Sequence, residues 1–222
     1  MVKAVIFDMY ETLITLYESP VYFGTQIARD IGMNIKAFRT LWDATERDRS
    51  IGKVTLEEVL EMIMRKNQCY SEELLREVAE KRISAKRECF QHIHPDIIPM
   101  LTELKERNIK VGLISNCFSE EAMVIRESVL FPYFDAVYLS YEQGIQKPNE
   151  EIFRRCINEL QVTADECIYV GDGGSCELET AEKIGMKALQ ATWYLKEGTA
   201  QPTGPKPDFV HLNLPLDVKK YL

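Results

Sequence analysis

The chain has 222 residues and a mass of 25.6 kDa, enough to bury a substantial core in one domain with an insertion or in two small domains. Its composition, 45% apolar and 28% charged, is that of an ordinary globular protein. The net charge is -8 and no long block of Lys or Arg occurs, which argues against nucleic acid and anionic membranes as partners. The longest apolar stretches have the length of a strand, so the sequence predicts no transmembrane helix.

The amino terminus and the cysteines indicate a compartment. The chain begins with a strand-like run and lacks the charged and apolar regions of a signal peptide. Its six cysteines are scattered without a C-x-x-C pair, a distribution typical of free thiols in a reducing cytoplasm rather than of disulfides or a zinc site. We therefore predict a cytoplasmic protein. His92 and His94, just before Pro95, leave two interpretations open, a pair of metal ligands or a surface turn.

The first predicted element is a strand from Lys3 to Asp8, built on an apolar run. From about Pro20 to Phe90 apolar residues recur at three- and four-residue spacing, which predicts a series of helices. Thr55 and Glu58 form a capping box at the start of one of them. A connection of roughly 80 residues is far longer than an ordinary βα loop. It must therefore fold as a helical layer of its own.

After His94 and Pro95 the pattern alternates between helices and strands. This alternation predicts a parallel α/β sheet covered by helices on both faces. A segment from Gly198 to Pro207, rich in Pro and Gly, predicts a surface loop before a short strand at Phe209. The predicted elements before it are a helix from Asp96 to Arg107, a strand from Val111 to Ser115, a helix from Ser119 to Val129, a strand from Ala136 to Ser140, a helix from Asn149 to Leu160, a strand from Cys167 to Val170, a helix from Ser175 to Ile184 and a strand from Lys187 to Ala191.

Together these patterns predict two domains. Residues 1–16 and 94–222 would form a Rossmann-like α/β core, and residues 17–93 a helical cap domain inserted after the first strand. The insertion leaves from the carboxyl edge of the sheet, where ligands bind in open α/β folds. It would therefore lie over the crevice beside Asp8, exclude water and select the substrate.

Four segments with polar residues fall where the predicted strands end. A parallel sheet brings the carboxyl ends of its strands to one crevice, so we expect these segments to meet although they lie far apart along the chain. They are Asp8 with Thr12-Leu13, Ser115-Asn116, Lys147-Pro148, and Gly171-Asp172 with Glu177.

This ordered set resembles the motifs of the haloacid dehalogenase superfamily, a large group of hydrolases with an aspartate nucleophile, and the resemblance covers nearly the whole chain. It implies a phosphatase that acts on a small phosphorylated metabolite. In such an enzyme the Asp8 carboxylate attacks phosphorus in line and forms an aspartyl-phosphate, which water later hydrolyses.

The resemblance also implies which residues bind the transferring group. Its charge must be neutralised, which suits Lys147 as a point cation, and the Ser115 hydroxyl and the Asn116 amide as hydrogen-bond donors. Thr12, in the first motif, is a further substrate-binding candidate.

A magnesium site follows from the same resemblance. Mg²⁺ prefers oxygen ligands and takes only one or two carboxylates while keeping several waters. Asp8, Asp172 and the backbone carbonyl of Tyr10 would provide such a site. Glu177 would bind a metal-bound water or orient Lys147.

The chain departs from the phosphatases of the superfamily at Tyr10, where they usually carry a second Asp that protonates the leaving alcohol and then activates water. A phenol, with an ordinary pKa near 10, is a poor acid-base group compared with a carboxylic acid. Glu11 is adjacent, but a neighbouring turn residue points its side chain elsewhere. We therefore predict a preference for aryl or acyl phosphates, whose leaving groups need little protonation.

Two other functions stay open. A Tyr at this position also occurs in the true haloacid dehalogenases, which need no metal, but they replace the metal-binding Asp that this chain keeps as Asp172. A third class would bind a phosphorylated metabolite with little turnover, although retention of Asp8 and Lys147 argues against pure binding. The candidates for the arginine that holds the substrate carboxylate in a dehalogenase are Arg39, Arg47 and Arg49.

Overall fold

The computed structural model describes residues 1–195 and 204–222. Their strands form one six-stranded sheet in the order β3-β2-β1-β4-β5-β6, and every neighbouring pair is parallel. This confirms the α/β fold predicted from the alternating pattern. The strands are β1 (Ala4–Phe7), β2 (Lys110–Ser115), β3 (Ala136–Leu139), β4 (Cys167–Gly171), β5 (Lys187–Ala191) and β6 (Val210–Leu212).

Strand β1 lies near the middle of the sheet, between β2 and β4, and its four apolar residues are fully buried. Ala4 pairs with Lys110 on one side and with Cys167 on the other, so the three strands run level with one another. The amide of Asp8 continues the ladder by donating to the Val170 carbonyl at 2.9 Å. The residues that follow these strands therefore emerge together at one edge.

Helices cover both faces of the sheet, and alternate residues of β1 pack against opposite layers. Val5 and Phe7 join an apolar cluster with residues of α6 and α7, whereas Ile6 joins a second cluster with α9 and α10. The helices are α1 (Gly24–Asp30), α2 (Ile35–Ala44), α3 (Glu46–Ser50), α4 (Leu56–Lys66), α5 (Glu72–Glu88), α6 (Ile97–Glu106), α7 (Ser119–Glu127), α8 (Ser140–Gln143), α9 (Glu150–Leu160) and α10 (Glu177–Lys183).

The long connection after β1 folds into helices α1–α5, as its periodicity predicted. These helices bury an apolar cluster of their own, which includes Phe38, Leu60 and Val78. The predicted capping box is present at α4, where the Thr55 hydroxyl accepts from the Glu58 amide at 3.2 Å and the Glu58 carboxylate accepts from the Thr55 amide at 2.7 Å. The cap-domain limits, residues 17–93, stay a prediction.

The two ends of this connection are fastened together by the segment after β5. The Tyr194 hydroxyl donates to the Leu13 carbonyl at 3.3 Å and accepts from the His94 amide at 2.8 Å. The neighbouring Trp193 indole donates to the Thr12 carbonyl at 2.8 Å. One tyrosine side chain therefore holds Leu13 and His94, at the two ends of the connection, close together.

One predicted helix differs from the structure. Instead of a continuous helix from Ser175, a short 3-10 turn covers Gly174–Cys176 and the α-helix begins at Glu177. Ser175 and Cys176 lie in the left-handed region, with φ of 52° and 50°, a conformation that no continuous right-handed helix contains. After this turn the first residue of α10, Glu177, is almost completely buried and lies close to Asp172.

The remaining predictions have simple outcomes. The ring of His94 accepts from the Asp96 amide and His92 pairs with Glu88 at the surface, so the structure favours the turn interpretation over a metal pair. All six cysteines are free. Across the described ranges no helix has both the length and the apolarity to span a membrane. The predicted surface loop from Gly198 to Pro207 lies largely outside the described residues, and β6 begins one residue after Phe209.

Candidate active site

The polar strand ends meet in one cleft of about 200 Å³ at the carboxyl edge of the sheet. Asp8 follows β1, Lys147 comes from the loop before α9, and Asp172 and Glu177 follow β4. One oxygen from each of the three carboxyl groups lies within 4.8 Å of the other two. Residues separated by more than a hundred positions along the chain therefore form a single acidic cluster.

Lys147 is the cation of this cluster. Its Nζ atom lies 2.6 Å from Asp8 Oδ1 and also contacts the Glu177 carboxylate and, at 3.2 Å, the Tyr169 hydroxyl. Burial alone would lower the pKa of Lys147, but the two carboxylates outweigh it and raise the pKa above its usual value. The ammonium group stays charged and holds one oxygen of Asp8.

The cluster carries more negative than positive charge. Burial raises the pKa of Asp8 to about 8, against the lowering effect of Lys147 and with further raising by Glu177 and Asp172. Three buried carboxyl groups share one ammonium, so a divalent cation among them would favour the ionised form of Asp8. The donors are all oxygens, at a spacing that one ion can bridge. The residues present therefore fit Mg²⁺.

Two glycines position Glu177, one by leaving space and the other by donating a hydrogen bond. A Cβ atom on Gly171 would lie 2.0 Å from Glu177 Oε1, so only glycine lets this carboxylate approach the strand. Gly173 has φ of 96° and donates its amide to Glu177 Oε1 at 3.1 Å. The Asp172 carboxylate accepts from the Gly174 amide at 2.8 Å. Backbone donors thus fix both acidic side chains.

Asn116 holds Lys147 in place. Its Oδ1 accepts from the Lys147 amide at 2.8 Å, and its Nδ2 donates to the Lys147 carbonyl at 3.0 Å and to the Ser175 hydroxyl at 3.2 Å. Both N–H groups of the amide already have acceptors. The structure therefore gives Asn116 a role in positioning Lys147, and the predicted donation to a phosphoryl group stays a prediction.

Thr12 and Ser115 are fully buried, and neither is among the described residues that line the cleft. The Ser115 hydroxyl lies 3.5 Å from the Asn116 carbonyl, a long contact for a hydrogen bond. The Thr12 hydroxyl has no hydrogen-bond partner among the described residues. Their predicted substrate contacts stay predictions.

Tyr10 is one of the residues that line the cleft, while its hydroxyl is buried and has no hydrogen-bond partner in the described part of the chain. Burial, and then the charges of Glu121 and Glu120, raise the pKa of Tyr10 well above its ordinary value. Both oxygens of the adjacent Glu11 accept hydrogen bonds, from the Thr15 hydroxyl at 2.7 Å and from a backbone amide. The raised pKa makes Tyr10 a weaker acid than an ordinary tyrosine, and the Glu11 carboxylate is held by these two donors.

The arginine candidates of the dehalogenase alternative lie away from the acidic cluster. Arg39 and Arg47 are exposed. Arg49 is buried, and its guanidinium lies between the rings of Trp42 and Phe118, 3.9 Å and 4.1 Å from their centroids. None of the three is among the described residues that line the cleft.

Sequence reasoning missed two groups near the site. Tyr169, in β4, donates its hydroxyl to Glu177 at 2.8 Å, and nothing in an apolar strand pattern marks it as part of the cluster. The second group is a buried ion-pair network between α5 and α7. The sequence contains a pattern that could have indicated this network. Its two cations, Arg82 and Lys86, are four residues apart on one helix and lie on the same side as buried apolar residues. The network consists of Arg82, Lys86, Glu120 and Glu121.

Comparison with known proteins supports a phosphatase-like chain and shows the fold. The chain is 27% identical over 224 residues to the glyceraldehyde 3-phosphate phosphatase of Methanopyrus kandleri, covering 94% of this chain and 90% of that protein. It superposes on a HAD phosphatase from Thermococcus onnurineus with a TM-score of 0.67, at 20% identity over 99% of this chain and 97% of that one.

A second structural neighbour has a different activity. The 2-haloacid dehalogenase from Pseudomonas syringae pv. Tomato DC3000 superposes with a TM-score of 0.70, at 20% identity over 99% of this chain and 97% of that one. The two structural similarities therefore show the fold and do not choose between the activities.

The family itself follows from a match over most of the length. Residues 2–185 match the family described as haloacid dehalogenase-like hydrolase, and this range contains Asp8, Lys147, Asp172 and Glu177. The chain belongs to the haloacid dehalogenase-like hydrolases.

Proposed function

We propose that the protein is a Mg²⁺-dependent phosphatase that acts on a small phosphorylated metabolite, with Asp8 as its nucleophile. The observation that carries the proposal is the buried cluster of Asp8, Asp172 and Glu177 around Lys147. The similarity to a phosphatase over 94% of the chain supports the same reaction class. The free cysteines support the cytoplasm as its location.

The chemistry needs a positioned carboxylate and compensation of charge. An Asp8 oxygen forms a bond to phosphorus while the bond from phosphorus to the leaving oxygen breaks, and that oxygen keeps the electron pair. Water then cleaves the aspartyl-phosphate, which releases phosphate and restores the carboxylate. Lys147 orients Asp8 through Oδ1 and offsets negative charge. Held by Asp8, Asp172 and the Tyr10 carbonyl, Mg²⁺ would neutralise charge on the transferring group.

Chelation gives the direct test of metal dependence. We expect hydrolysis of phosphate monoesters to stop when EDTA is added and to return when Mg²⁺ is supplied in excess, because the acidic cluster lacks enough positive charge without the ion. The measurement is phosphate release from a panel of metabolite phosphates before and after each addition. Hydrolysis that is insensitive to EDTA would contradict the proposal, and halide release from 2-haloacids under EDTA would favour the dehalogenase alternative.

Tyr10 should restrict the range of leaving groups. We expect much faster turnover of p-nitrophenyl phosphate than of a sugar phosphate, because the buried phenol is a weak acid. Tyr10→Asp should raise the rate on the sugar phosphate by roughly tenfold or more, since a positioned carboxylic acid supplies general acid-base catalysis. The readout is kcat/KM for both substrates.

Tyr10→Asn is the matched control, because it has the size of the Asp variant without its acid. Only the Asp variant should gain activity on the sugar phosphate. Equal gains in both variants would mean that removal of the ring, not proton transfer, causes the change. Equal turnover of the two substrates by the wild type would show that another residue supplies the proton.

A further inference from the structure

The peptide group between Asp172 and Gly173 is held from two sides. Its carbonyl oxygen accepts from Gln190 Nε2 at 2.7 Å, and its N–H donates to Glu177 Oε1 at 3.1 Å. One rigid peptide plane therefore links a side chain of β5 to two members of the acidic cluster. Rotation of that plane would move the Asp172 carboxylate and release the Glu177 carboxylate in one step.

Gln190 is suited to hold this plane. Its side chain is fully buried, and the residue pairs in register with Gly171 on the neighbouring strand. Its Nε2 also donates to the Gly204 carbonyl at 2.9 Å, and its Oε1 accepts from the Lys206 amide at 2.8 Å. Both amide protons and the oxygen have backbone partners, so the orientation of the amide is fixed.

We propose that Gln190 is a positioning residue that sets the spacing of the Asp172 and Glu177 carboxylates through the peptide at Gly173. The segment at residues 204–206 belongs to the same arrangement, because its backbone fixes the other face of the Gln190 amide. Gln190 touches no reacting atom and acts through Asp172. The proposal rests on the Mg²⁺ site proposed above.

The test compares the Mg²⁺ affinity of two variants, one at Gln190 in β5 and one at Thr192, the residue after this strand. Gln190→Met keeps the length of the side chain and removes its three hydrogen bonds. We expect Mg²⁺ binding, measured by isothermal titration calorimetry, to weaken roughly tenfold, the scale seen when residues that orient metal ligands are replaced. The same shift should appear in the Mg²⁺ concentration that half-activates hydrolysis.

Thr192→Val is the matched control. The Thr192 hydroxyl also ties this region to the carboxyl-terminal segment, at 2.9 Å from the Leu212 carbonyl and 3.1 Å from Asn213 Oδ1. Among the described residues it makes no hydrogen bond to the Asp172 peptide. Its loss should lower the melting temperature and leave Mg²⁺ affinity unchanged. Weakening of the same size in both variants, or unchanged affinity in Gln190→Met, would overturn the proposal.

A measurement on the wild type decides the matter if Gln190→Met does not fold. The side-chain amide resonance of Gln190 should shift in ¹⁵N NMR spectra as Mg²⁺ is added, with the midpoint that calorimetry gives. An unchanged resonance would overturn the proposal. Failure of the wild type to bind Mg²⁺ would instead remove the proposed metal site itself, so the two failures are distinct.

Discussion

Replacing Asp8 with Asn is expected to lower kcat for phosphate release by roughly 10³-fold or more, the scale of loss when a catalytic nucleophile is removed. Asn has nearly the shape of Asp, but its amide cannot attack phosphorus. The variant should fold, because Lys147 keeps its contact with Glu177. The measurement is steady-state kinetics on the best substrate, together with a thermal unfolding curve.

Asp172→Asn separates the nucleophile from the metal ligand. It removes a proposed Mg²⁺ ligand and leaves the Asp8 carboxylate in place, so excess Mg²⁺ should restore part of its activity. Excess Mg²⁺ should not restore the activity of Asp8→Asn.

A wild-type protein that is stabilised by phosphate but hydrolyses no phosphate ester would favour a binding function over an enzyme. Turnover by Asp8→Asn within about tenfold of the wild type would contradict the assignment of the nucleophile.

Glu121→Leu is expected to destabilise the protein by about 3–5 kcal/mol, the usual cost of leaving a buried charge without its partner. Glu121 lies 2.6 Å from Lys86 and 3.7 Å from Arg82, and all three side chains are almost completely buried between α5 and α7. The replacement would leave Lys86 without its carboxylate. Urea unfolding of the two proteins measures the difference in free energy.

The same pair of helices provides the control. Arg87 and Glu127 also join α5 to α7, at 2.9 Å, but about half of each side chain is exposed. Glu127→Leu should change the free energy of unfolding by less than about 1 kcal/mol, because solvent screens such pairs. Equal effects at the two positions would show that burial does not set the strength of this interface.

The pH dependence of Glu121→Leu follows from the same contacts. Although burial acts to raise it, Lys86 and Arg82 hold the pKa of Glu121 below its ordinary value. The contribution of the ionised carboxylate is then fully present above the unfolded pKa of about 4.3 and is lost as the pH falls through the folded pKa. The stability difference from the wild type should therefore shrink only in acid.

The sheet and the acidic cluster could be predicted because their signals are local. Strands β1 and β4 are short apolar runs. Asp8 and Asp172 follow them, and Lys147 lies just before a capped helix. The parallel arrangement alone brings strand ends together. Placing these residues needed no knowledge of side-chain contacts.

Other parts depend on contacts that no local pattern shows. Gln190 is one polar residue in a buried strand, and its role depends on a carbonyl 18 positions away. The two left-handed residues Ser175 and Cys176 interrupt a segment whose composition favours a helix. Arg82 is charged and would ordinarily be solvated, so its burial appears only when α7 supplies the opposite charge.

The hydroxyl of Tyr194 has a consequence for how the long connection after β1 tolerates change. It hydrogen-bonds to residues 13 and 94 from outside the stretch between them. The distance between these two residues therefore does not depend on the length of that stretch. Lengthening, shortening or exchanging that stretch should therefore leave the strands of the sheet in register.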